Sequence, residues 1–158
     1  MARSKSAQLW DRHSFLRRAD GLPPVARDVL GRLIDFAENA GAIEWGLKSE
    51  RPLFNFRCPT PSGKTVSAFY VEISPEAKNP YANAHMEFDF LKLNERKLIA
   101  PDIIERYRED LNATGTVPEE ARAAEYWKFF RVERLRDPDA FEKFKQAVLN
   151  FKEASASA

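Results

Sequence analysis

Four residues of this chain have the types and spacing of a divalent-cation site: His85, Glu87 and Asp89 alternate along one stretch, with Glu72 upstream. In an extended strand successive side chains point to opposite faces, so residues two apart share a face. Glu72 joins them if its strand pairs with theirs in a suitable register. An imidazole with two or three carboxylates suits Mg²⁺, Mn²⁺ or Zn²⁺. The chemistry such an ion supports is hydrolysis of phosphoester bonds, as in divalent-metal nucleases whose carboxylates lie on adjacent strands. No Asp/Glu-x-Lys sequence lies on a strand, so the lysine that supports the attacking water in those enzymes has no counterpart here. The same alternation also describes the solvated face of an antiparallel sheet.

Other catalytic signals are thin. Ser62-Gly63-Lys64-Thr65 resembles the end of a phosphate-binding loop, but Cys58 stands where that loop requires glycine, and the residues that follow are strand-like rather than helical. The one cysteine, Cys58, has only His13 and His85 in the chain as candidate bases. There is no Gly-x-Ser-x-Gly elbow and no glycine-rich dinucleotide fingerprint. This favours a binding module over an enzyme.

For binding, the candidate surface is Arg12, Arg17, Arg18, Arg27, Arg32, Arg57 and Lys64, mostly arginines able to contact phosphate through two nitrogens. Trp10 or Tyr70, if exposed, would stack on unpaired bases. Residues 1–22 carry a local charge of +3. Trp10, Phe15 and Leu16 in the same segment would equally dock on a protein partner or a second copy of this chain.

These residues need elements to hold them. Pro23 and Pro24 open a helix whose apolar residues Val25, Val29, Leu33 and Phe36 recur at helical spacing until Asn39 and Gly41. Period 2 then takes over, predicting strands at 43–45, 53–57, 64–73 and 84–91, with a hairpin turn at 58–63 and a polar loop at 74–83. A second helix starts near Pro101 and frays at residues 113–115. Thr116 and Glu119 have capping-box spacing for a third. Residues 129–135 form an edge strand or continue that helix, and Asp137-Pro138 opens a last helix bearing Phe141, Phe144, Val148 and Phe151. The fold class is α+β, a curved antiparallel sheet of four or five strands packed on one face by the N- and C-terminal helices. Its expected core is Phe54, Phe56, Phe69, Phe88 and Phe90 against Leu30, Leu33, Phe141, Phe144 and Val148. Residues 1–22 read as a basic arm, 23–153 as one domain and 154–158 as a disordered tail.

At 158 residues the chain suits a single domain. A net charge of +1 excludes a global field that would gather nucleic acid or membrane, and no apolar stretch reaches the roughly 18 to 20 residues of a spanning helix. A lone cysteine and no signal-peptide core predict a cytoplasmic protein with no membrane partner.

The order of a helix ending in Phe36-Ala37-Glu38-Asn39-Ala40-Gly41, then Ile43-Glu44-Trp45-Gly46, a hairpin, the strand Met86-Glu87-Phe88-Asp89-Phe90-Leu91 and a helix after Leu135-Arg136-Asp137 resembles a small α+β domain. That domain is found alone or appended to prokaryotic nucleases and restriction-type proteins. The resemblance covers residues 25–151 and implies association with DNA-processing or defence proteins. It carries no functional residue across, and the basic arm and residues 112–128 depart from it. The expected function is therefore a non-catalytic accessory module in contact with nucleic acid and without a cofactor. A Mg²⁺- or Mn²⁺-dependent hydrolase and a protein-binding adaptor or homodimer are the alternatives.

Overall fold

Alternation of large apolar and polar residues builds the centre of the molecule. Strands β1 (Ile43–Trp45), β2 (Leu53–Pro59), β3 (Thr65–Ser74), β4 (Asn83–Asp89) and β5 (Tyr126–Arg131) form one antiparallel sheet in the order β1-β2-β3-β4-β5. This is seen in a computed structural model that describes residues 8–74 and 83–157. Most of the predicted 74–83 loop and the first seven residues of the predicted arm, with Arg3 and Lys5, lie outside the described residues.

One face of the sheet turns inward, carrying Phe54, Phe56, Cys58, Phe69, Val71, Met86, Phe88, Trp127 and Phe130, all buried. Helices α2 (Pro24–Asn39) and α5 (Pro138–Ser157) cover it, giving the expected α+β fold. Its centre is a run of ring contacts: Phe56 to Phe69 at 5.4 Å, Phe69 to Phe144 at 5.3 Å and Phe88 to Trp127 at 5.4 Å between centroids. Rings of this size dominate core energetics. A bulge between Phe56 and Arg57 lets β3 turn both Ala68 and Phe69 inward, and the buried Tyr107 of α4 (Pro101–Asn112) donates its hydroxyl to the Ala68 carbonyl at 3.1 Å. The strands beyond the bulge thereby keep Asn55, Tyr70 and Glu72 on the opposite face.

The ends of α2 are as predicted. Pro24 sits in its first turn, and Gly41 follows it at φ +64°, where a Cβ would be strained. Bonds from Gly41 N to Glu38 O and from Ala42 N to Ala37 O, both 3.0 Å, close the helix and aim the chain into β1.

Four expectations are corrected. Residues 8–22 are not a free arm. Asp11 caps helix α1 (Arg12–Arg18) by accepting from Ser14 N at 2.7 Å, Trp10 N donates to Gly46 O at 2.9 Å, and Phe15 is fully buried against Trp45 and Phe54. The fourth strand stops at Asp89, not Leu91, because the Asp89 carboxylate accepts from Lys92 N at 2.9 Å and starts helix α3 (Phe90–Arg96), which the sequence pattern did not suggest. The Thr116 capping box does not form: its hydroxyl pairs with that of Thr114 at 2.7 Å, and Glu119–Ala121 makes one tight turn before β5 takes the chain into the sheet. Helix α5 continues to Ser157 with Ser155 buried, so residues 154–157 are helical where a disordered tail was expected.

Phe88→Ala and Phe15→Ala will each cost about 3 to 5 kcal/mol of stability, read from urea denaturation midpoints. An unchanged midpoint for Phe15→Ala would mean that residues 8–22 are an appendage after all.

Candidate functional site

The side of the sheet away from α2 and α5 is polar. It is assembled by register: Glu72 lies opposite His85, and Tyr70 opposite Glu87, across β3 and β4. Directly opposed residues on an antiparallel pair share a face, so Glu72 is brought to His85 as the metal reading requires. One ligand atom from each of Glu72, His85 and Glu87 lies within 4.8 Å of the others. The Nε2 of His85 is 3.8 Å from a Glu72 oxygen and 3.6 Å from a Glu87 oxygen. Asp89, the fourth predicted ligand, stays out of the group, its carboxylate being committed to the cap of α3.

This is not the solvated face that alternation alone describes. The side chains of His85 and Glu87 are only 4% and 5% exposed, and that of Glu72 15%. Partners run through the group in a chain. The Tyr70 hydroxyl lies 2.8 Å from that of Tyr126, which donates to Glu87 Oε1 at 2.7 Å. At the other end Arg51 donates to Glu72 at 3.2 Å and to Ser74 at 3.1 Å. A ligand carboxylate oriented by a hydroxyl or a guanidinium is the usual outer shell of a metal site.

Burial sets the protonation states. It lowers the pKa of His85, against the opposing pull of Glu72 and then Glu87, which favours the neutral imidazole that binds metals. Burial raises the phenol of Tyr126 to about 12, the hydrogen bonds to Tyr70 and Glu87 acting in opposite senses, and it raises Tyr70 further, Glu87 adding to the effect. Both phenols therefore stay protonated at neutral pH, and Tyr126 keeps its hydrogen for Glu87. Around a cation bonded at about 2.1 Å, ligand atoms sit about 3 to 4 Å apart, so small rotamer movements close the trio on an ion. One imidazole with two carboxylates suits Mn²⁺ or Zn²⁺ better than Mg²⁺, which prefers an all-oxygen shell.

A cleft of about 350 Å³ opens beside the trio, with Glu72, Glu87 and Asp89 on its lining. Leu53, Asn55, Ser67 and Tyr70 form its floor, and Arg57 from β2 with Lys92 and Arg96 from α3 supply cations. Lys92 and Arg96, spaced one helical turn apart, escaped the sequence reading because α3 did. Asp89, one residue before the turn into α3, was the signal available, since aspartate is a preferred helix cap.

Part of the predicted basic surface is drawn into contacts within the fold. Arg12 pairs with Asp35 and Glu38, and Arg32 lies 4.7 Å above the Phe141 ring and 3.9 Å from Asp28. Arg57 sits 3.4 Å from Glu44 on the outer sheet face. Arg17, Arg18 and Arg27 are exposed, and Lys64 is exposed at the β2–β3 turn. Trp10, offered for base stacking, is buried beneath Arg18. Phe15, offered for docking, is core. Cys58 is buried and its thiol is pushed up to about 12, which removes it as a nucleophile. The turn at 60–64 joins two strands, so no phosphate-binding loop exists there.

No protein-family model matches the chain, and no curated protein and no solved structure matches it. Among the described residues no helix is long and apolar enough to cross a membrane.

Because the folded chain holds His85 neutral while the unfolded chain protonates it near 6.5, the unfolded state binds the extra proton below that pH. Metal-free protein will therefore lose stability from His85 as pH falls below about 6.5, by at most about 1.4 kcal/mol per pH unit. Urea midpoints between pH 7 and 5 in EDTA, compared with His85→Gln, will isolate this slope. Equal slopes in the two proteins would contradict it.

Proposed function

We propose that Glu72, His85 and Glu87 bind a divalent cation, Mn²⁺ or Zn²⁺ in preference to Mg²⁺, and that the protein uses it to hydrolyse a phosphoester in the adjoining cleft. The observation that carries this reading is the convergence of three of the four candidate ligands at sites withdrawn from solvent. Two carboxylates this close and this buried are costly unless a cation or hydrogen bonds hold them. A bound cation lowers the pKa of a coordinated water, whose oxygen bonds to phosphorus as the ester P–O bond breaks. The alcohol leaves with a proton that came from that water. Tyr126 keeps Glu87 aimed through its 2.7 Å hydrogen bond.

A second reading, the non-catalytic module in contact with nucleic acid, is favoured by a different set of arginines from those first considered. Arg131, Arg134 and Arg136 line an open groove of about 620 Å³ with Thr114, Gly115 and Thr116. None of the three forms an ion pair among the described residues, and Arg134 donates to Thr116 O at 3.3 Å. Glu133 and Asp137 share the rim. This reading predicts that labelled single-stranded DNA binds with a log-log salt slope of about −2, one phosphate contact per arginine, abolished in the triple Arg→Gln variant. Slope-free or absent binding in fluorescence anisotropy at low salt would reject it.

For the metal reading, calorimetric titration of EDTA-stripped protein with MnCl₂ will give one ion per chain. Tyr126→Phe will weaken binding about tenfold, the usual cost of an outer-shell partner, and Glu87→Gln by more. Bis(p-nitrophenyl) phosphate will be hydrolysed only with the ion present. No Mn²⁺ or Zn²⁺ binding at millimolar concentrations by a folded wild-type chain overturns the proposal.

A further inference from the structure

The cleft beside the trio has two chemically different sides. Glu72 and Glu87 of the proposed cation site face it together with Asp89, whose carboxylate is engaged by Lys92 N, while Arg57, Lys92 and Arg96 line it from β2 and α3. These cations have donors to spare. The buried Nε of Arg57 is taken up by an ion pair with Glu44 at 3.4 Å, so its spare donors are the two terminal nitrogens, which make no hydrogen bond among the described residues. Arg96 spends one nitrogen on Thr65 O at 3.0 Å, and Lys92 joins no ion pair among the described residues. Three cations around one recess are what a phosphate dianion requires, and arginine meets it through paired nitrogens.

Size and shape narrow the ligand. A volume of about 350 Å³ falls at the small end of small-molecule sites. Helix α3 rises as a wall because Asp89 caps it directly after β4, so Lys92, Leu93 and Arg96 stand over the β2–β3 floor. Tyr70, Leu53 and Leu93 give the recess an apolar component suited to a flat organic group. Ser67 donates to the Asn55 Oδ1 at 2.9 Å, which leaves the Asn55 amide nitrogen as a donor in the same cleft.

Resting on the cation reading, we infer that the ligand of this cleft is a phosphorylated small molecule of about mononucleotide size, its phosphate held between the Glu72–His85–Glu87 cation and the side chains of Arg57, Lys92 and Arg96. The cation neutralises one side of the phosphate and the three basic residues the other, so the ester linkage lies where the coordinated water reaches phosphorus. Specificity for the organic part falls to Asn55, Tyr70 and Leu93.

The test is calorimetry on the full chain with Mn²⁺, using adenosine monophosphate, inorganic phosphate and a twelve-nucleotide single-stranded DNA as probes. Adenosine monophosphate will bind at one site per chain, more tightly than inorganic phosphate and at least as tightly per chain as the oligonucleotide. Lys92→Gln/Arg96→Gln will weaken it at least about tenfold while leaving Mn²⁺ affinity unchanged. Arg57→Gln provides the same readout should the double variant lose its fold, checked by circular dichroism. Mn²⁺ binding with no mononucleotide binding, or binding indifferent to all three cations, overturns this inference and leaves the metal site standing. Tighter binding of the oligonucleotide that these same substitutions abolish also overturns it, in favour of a polymer substrate. Mononucleotide binding sensitive to Lys92 and Arg96 in a chain that takes up no Mn²⁺ overturns the cation reading instead.

Discussion

Everything on the polar face depends on how β4 is anchored from behind. Met86 and Phe88 point into the core, where Phe88 meets Phe69, Trp127, Phe130 and Phe144. Because side chains alternate along β4, pinning Met86 and Phe88 inward pins Glu87 and His85 outward. A one-residue slip would carry the charged set into the aromatic core, a cost no rearrangement of partners offsets. The ring contacts therefore fix the register of β3 against β4, and that register brings Glu72 to His85. A core built for stability thus does the positioning work of the candidate site.

The polar face then solves a second problem, that of keeping carboxylates away from water. Glu87 is held by the Tyr126 hydroxyl and lies beside a largely neutral His85, while Glu72 is met by Arg51. The chain from Tyr70 to Arg51 satisfies these groups in sequence, its members drawn from β3, β4, β5 and the segment before β2. Such a network is stable when complete and expensive when broken, since one deletion strands a buried neighbour. It also leaves three ligand atoms close together without filling the cleft beside them, which is how a site can be rigid before its ligand arrives.

Charge is distributed on a different logic. Part of the cluster of positive residues near the N-terminus is absorbed as the chain folds, Arg12 into a pair with two acids of α2 and Arg32 onto the ring of Phe141, while Arg17, Arg18 and Arg27 stay exposed. The cations around the two concave surfaces considered above come from β2, α3, β5 and the turn before α5. A local count of charges along the chain is therefore a poor guide to the electrostatic surface, because pairing is decided by what lies across the fold.

By itself the sequence determined the class of fold, the long helix from Pro24, the hairpin and the common face of His85 and Glu87. Each follows from a period or a cap that neighbouring residues impose locally. It did not reveal α3, the helical end of α5, or the docking of Phe15, whose periodic signals are short and whose stability comes from contacts distant in the chain. Tertiary structure alone decided that Glu72 joins His85, that Asp89 leaves the group for a helix cap, and that Arg57, Lys92 and Arg96 meet across one cleft. The physical reason is that register and side-chain pairing are properties of two segments at once, so no single stretch of sequence contains them.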